Sequence, residues 1–114
     1  SEYSNTDLKL AYGVGNFKVL CEYDENFNHF LLALTNLARA CTEAGLYSEA
    51  EQTFLLAFHY GSQKMPDYTS LADVYLHLEE PEKISALIRN VEDGSLPHKE
   101  ALIQALEQKL MAYR

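Results

Sequence analysis

Apolar residues recur at steps of three and four through Phe27, Phe30, Leu31, Leu34, Leu37, Ala38 and Cys41, one face of a helix. Gly45 ends that run, where a left-handed residue relieves the last turn. Ser48 then reads as an N-cap, with Glu51 three residues on completing a capping box. Ala50, Phe54, Ala57 and Phe58 form the inward stripe of the next helix, which stops at Gly61. A loop this short makes the two helices antiparallel neighbours. Leu31 to Gly61 is therefore a helix hairpin, and the rest of the chain has to pack around it.

The hairpin has a fainter copy. Leu37 and Leu71 stand 34 residues apart, as do Ala38 and Ala72, Leu34 and Tyr68, Cys41 and Tyr75, Phe54 and Ile88, and Ala57 and Val91. Pro66 and Pro81 suit the first turns of helices, where a missing N–H costs nothing. Gly94 closes a fourth helix, Ser95-Leu96-Pro97 connects, and His98 to Arg114 forms a last amphipathic helix through Leu102, Ala105, Leu106, Leu110 and Tyr113. Its other face, rich in Glu, Gln and Lys, suits the terminal helix of an array.

Upstream, Leu8, Ala11 and Tyr12 fit a short helix that Gly13-Val14-Gly15-Asn16 interrupts. Phe17, Leu20 and Cys21 fit a second helical segment, while Phe17, Val19 and Cys21 equally suit a strand. Gly13-x-Gly15 lacks the remaining signals of a phosphate loop and reads as a turn. The organisation is one all-α domain: an N-terminal segment 1–26, helix pairs 27–64 and 65–97, and a capping helix 98–114.

A period of about 34 residues in helix–turn–helix units resembles the tetratricopeptide repeat family. Leu37-Ala38 stand where that family has its Leu-Gly/Ala pair, Gly45 and Tyr47 match the turn, and Ala50, Phe54 and Ala57 match its small–aromatic–small triplet. In the second copy Tyr68, Leu71, Ala72 and Tyr75 fit. Glu79 replaces the turn Gly, and Ile84 and Val91 replace the two small residues. The resemblance implies a short right-handed superhelix of stacked antiparallel helix pairs, with the first helix of each pair lining a concave groove. It places Thr35, Asn36, Arg39 and Glu43 of the first unit in that groove, with Leu32 beside them. Thr69, Asp73 and His77 of the second unit follow with Pro66 and Ser70, and Gln104 continues the row on the last helix.

Charge narrows the partner. Nine basic against 17 acidic residues leave a net charge of −8, which opposes a phosphate backbone and suits a neutral or basic protein. No apolar run approaches the roughly 20 residues that cross a bilayer, so no membrane insertion is expected, and no signal peptide is visible. The first residue is Ser rather than Met, compatible with a piece of a longer protein. Two cysteines make no disulfide framework. Cys41, on an apolar stripe, reads as a buried reduced thiol, which favours the cytoplasm.

Chemistry has little to stand on. His29, His59, His77 and His98 form no metal-ligand spacing with each other or with the cysteines, so no metal and no cofactor is expected. His77 suits a helix C-terminus. Ser48 has a capping role, and no GxSxG or Cys–His signature provides an activated nucleophile. Of the groups that clamp a carboxylate in chaperone-binding members, only Asn36 and Arg39 have counterparts, and Asp73 and Glu107 would repel that ligand. Among the eight tyrosines, Tyr60, Tyr68 and Tyr113 are candidates for partial exposure. The expectation is a non-catalytic protein-interaction module that binds a peptide or helix in its groove. The alternatives are a homodimerisation domain and a small-ligand-binding helical domain.

Overall fold

The structure, a computed structural model, describes the backbone of residues 24–113 and the side chains of residues 28–113. The segments expected around Leu8 to Tyr12 and Phe17 to Cys21, and the turn between them, lie outside the described residues. Five helices account for the described chain: α1 (Asp24–Glu43), α2 (Tyr47–His59), α3 (Met65–His77), α4 (Pro81–Asp93) and α5 (Lys99–Tyr113). Among the described residues there is no strand. α1 packs on α2 and α3, α2 on α3, α3 on α4 and α5, and α4 on α5.

The ends of α1 and α3, 34 residues apart, share one turn geometry, which also closes α2 at Gly61. Gly45 N–H donates to the Thr42 carbonyl at 3.1 Å and Leu46 N–H to that of Cys41 at 2.8 Å. One period later, Glu79 N–H donates to Leu76 at 3.1 Å and Glu80 N–H to Tyr75 at 2.9 Å. Both are Schellman turns, with a left-handed residue satisfying carbonyls that the helix end leaves open. Gly45 has φ +81° and Glu79 has φ +60°. Glycine adopts that conformation freely, whereas a side chain there is strained. Glu79→Gly is therefore expected to stabilise the fold by about 0.5 kcal/mol, the strain relief exceeding glycine's unfolded-state entropy. A raised thermal midpoint checks it.

Proline supplies two helix starts: Pro66 and Pro81 stand in the first turns of α3 and α4. Ser48 behaves differently from its expected role. α2 begins one residue before it, with Leu46 as N-cap and no side-chain cap bond. Ser48 therefore stands inside the first turn of α2, past the N-cap position from which a side-chain oxygen accepts from the N–H groups that follow. Glu51 turns instead to Lys83 of α4, its Oε2 3.4 Å from Nζ, while Glu80 Oε1 lies 3.0 Å from the same ammonium. Lys83 sits 5.7 Å from the centroid of the Tyr75 ring. Burial, followed by the charge of Glu51, raises the Tyr75 phenol above its ordinary value.

The core fills the space between pairs. Ala38, Ala50, Phe54 and Ala57 are all completely buried. At the same register in the second pair stand Ala72, Ile84, Ile88 and Val91, also buried. The small–large–small triplet of α2 is thus replaced in α4 by three branched side chains of intermediate size. Cores tolerate such exchanges when total volume is kept. Ala50→Leu keeps no such balance and is expected to cost about 1–3 kcal/mol by overpacking. An unchanged denaturation midpoint would show Ala50 away from a close helix contact. Two parallel ring stacks pin α2 to α3 at opposite ends: Tyr47 on His77 at 4.6 Å and Phe58 on Tyr68 at 4.0 Å between centroids.

Three expected burials come out differently. Leu37, assigned to the inward stripe, is 53% exposed, while Leu71, its counterpart, is fully buried. The difference is one of neighbours, because α3 has helices packed on it from both directions along the chain and α1 has described neighbours only after it. Cys41 is a free thiol but only partly buried; burial and then the Glu49 carboxylate push it above its ordinary value. Tyr68, a candidate for partial exposure, is buried, whereas Tyr113 is exposed.

Candidate groove of alpha1, alpha3 and alpha5

Helical spacing sets the candidate surface. Asn36, Arg39 and Glu43 recur on α1 at steps of three and four, and Ser70, Asp73 and His77 take the same positions on α3. Gln104 continues the Asn36 and Ser70 position on α5 one further period along. Arg39, Glu43, Ser70 and Asp73 surround one shallow cleft of about 140 Å³ together with Thr42.

Two expected groove groups are occupied with holding the fold. Thr35 is buried and its hydroxyl donates to the Leu32 carbonyl at 3.2 Å, so it offers nothing to a partner. Thr69 bonds back along its own helix, to Met65 at 3.3 Å and Pro66 at 3.2 Å. Arg39 is shared between roles. Its Nη2 pairs with Asp67 Oδ1, and Asp67 Oδ2 accepts from the Ser62 hydroxyl at 2.7 Å. Asp67 is only 1% exposed, whereas the Arg39 side chain is 39% exposed. A buried carboxylate needs that guanidinium, because its hydration has been removed. Arg39 is thus committed to Asp67 and is a poor clamp for a second carboxylate.

Asp73 is balanced too. Lys109 Nζ of α5 lies 2.8 Å from Asp73 Oδ1, linking the second and third helices of the row. This exposed pair contributes little to stability, on the order of 0–1 kcal/mol. It does cancel the Asp73 charge. What remains open on the face is Asn36, Glu43, His77 and Gln104, all exposed. His77 is also held against Tyr47 by its ring stack. The surface is polar and weakly acidic.

A second cleft of about 400 Å³ opens beside it, where Asn28, His29 and Leu32 of α1 face Lys64, Ser62 and Asp67. Asp67, Ser62 and Lys109 were not among the residues singled out from sequence. Asp67 follows Pro66 in the first turn of α3, a position that favours an acid for the helix dipole alone. Its burial depends on a partner 28 residues away, which no local pattern announces.

Among the described residues, no three His, Cys, Asp or Glu side chains converge as a metal site would need. Among them, too, no helix is long and apolar enough to cross a membrane. The chain matches no known protein family, no curated protein and no solved structure. Its function therefore rests on its own residues.

Proposed function

We propose that this chain is a non-catalytic, tetratricopeptide-like interaction module that binds a peptide or helix of a partner protein along the face of α1, α3 and α5. The observation that carries the reading is the repeated turn: Gly45 and Glu79, 34 residues apart, share one left-handed geometry and one hydrogen-bond pattern. A unit repeated with the same turn stacks its first helices side by side, and the packing of α1 on α3 and of α3 on α5 fits that stacking as a short superhelix. Asn36, Ser70 and Gln104 then form one row and Arg39, Asp73 and Glu107 the next. With Arg39 and Asp73 neutralised internally, Glu43 and Glu107 give the groove its net sign, which suits a neutral or basic segment. A reducing, cytoplasmic setting accords with the free thiol of Cys41.

The test is selection of binders from a random peptide library, followed by mapping of amide shifts in the full chain. Binding in the groove is expected to move Asn36, Glu43, Asp73, His77 and Gln104. Shifts confined to Gln52, Leu55 and Arg89, on the outer helices α2 and α4, would refute the groove.

A further inference from the structure

The groove is charged unevenly along its length. Leu32, Asn36, Arg39 and Glu43 form one stripe of α1 at steps of three and four. At the N-terminal end of that stripe, Leu31, Leu32, Lys64 and Asp67 line the cleft of about 400 Å³. Leu32 is 48% exposed there, a large apolar group open to solvent. Arg39 already neutralises Asp67, so the uncompensated charge of the cleft is the Lys64 ammonium. Arg39, Lys83 and Lys109 each pair with a carboxylate, and Lys99 bonds two carbonyls. Lys64 is exposed and has no such partner among the described residues. At the C-terminal end of the stripe, Glu43 is exposed and equally unpaired among them, beside the shallow cleft it shares with Ser70 and Asp73.

We infer, building on the interaction-module reading, that the partner is an extended peptide with a base at one end and an apolar–acidic pair at the other. The pair enters the cleft at Leu32 and Lys64, and the base lies over Glu43. Two unpaired charges of opposite sign, at opposite ends of one stripe, select a partner charged in the complementary order. Leu32 and Glu43 are about 16 Å apart along the helix at its usual rise, which an extended chain covers in about five residues. The middle of the stripe favours an extended chain over a helix. Asn36, and Gln104 on α5, are exposed amides suited to the unpaired N–H and C=O groups of an extended backbone. A docked helix needs an apolar groove instead, and this face is polar.

The test selects a phage-displayed random decapeptide library on the full chain, then measures one resynthesised winner by fluorescence anisotropy at low salt. Enriched peptides are expected to share an apolar–acidic pair with a Lys or Arg about five residues away. Lys64→Glu is expected to weaken the winner about fivefold or more relative to Arg89→Glu, an equal change of charge on the outer helix α4. Circular dichroism is expected to show both variants as helical as the unmodified chain. Exchanging the peptide's acid for Lys is expected to restore binding to Lys64→Glu and to weaken binding to the unmodified chain. Binders that map to the groove without the acid–base spacing would overturn the inference and leave the module reading standing, as would equal losses in Lys64→Glu and Arg89→Glu. An absence of binders, or amide shifts confined to the outer helices, would overturn both.

Discussion

Phe54→Ala is expected to destabilise the chain by about 3–5 kcal/mol, the range for truncating a wholly buried phenylalanine. Phe54 has no exposed surface and belongs to the main buried core, which also holds Ala38, Ala50, Leu71 and Ile84. The loss also reaches the next pair. Phe54 lies 6.5 Å from Phe58, which in turn stacks on Tyr68 of α3. A domain of this size has only about 5–15 kcal/mol of stability in all, so the variant is expected to unfold at a much lower urea midpoint. Ile88→Ala, at the same register of α4 but 8% exposed, is expected to cost less, about 2–4 kcal/mol. A Phe54→Ala cost below that of Ile88→Ala would place the centre of packing elsewhere.

Arg39→Ala is expected to cost about 2–4 kcal/mol, far more than loss of an exposed ion pair. The asymmetry of the pair sets the sign and size. Water reaches the guanidinium but not Asp67, so removing Arg39 leaves a buried carboxylate held by the Ser62 hydroxyl without its cationic partner. Asp67→Asn removes that charge and is expected to recover much of the loss when combined with Arg39→Ala. Chemical denaturation of the four proteins of this cycle gives the coupling. An Arg39→Ala cost under about 0.5 kcal/mol would mean the pair behaves as a surface one.

The parts of this architecture that sequence reveals are those governed by local physics. Gly45, Gly61, Pro66, Pro81 and Gly94 each sit at a helix boundary, because backbone freedom or a missing N–H acts where the residue stands. Ala38, Ala50, Phe54 and Ala57 were legible as core from spacing alone. Ser48 misled because a serine followed by Glu51 satisfies a capping pattern whether or not the helix has already begun. Leu37 misled because its helical spacing is correct while no described helix packs against that side of α1. In the groove, exposure of Asn36, Glu43 and Gln104 follows from register. The commitment of Arg39 to Asp67, and of Asp73 to Lys109, joins residues 28 and 36 positions apart and leaves no local trace.

In the superhelix proposed for this chain, α1, α3 and α5 lie side by side as successive first helices. Asn36 and Gln104 occupy the same register position two periods apart, on helices separated by α3. Packed helices are spaced about 8–10 Å, so dipolar electron paramagnetic resonance between spin labels at these positions is expected to give about 16–20 Å between helix axes. A separation of about 8–10 Å, that of helices in direct contact as in a closed bundle, would contradict the stacked arrangement and the groove with it.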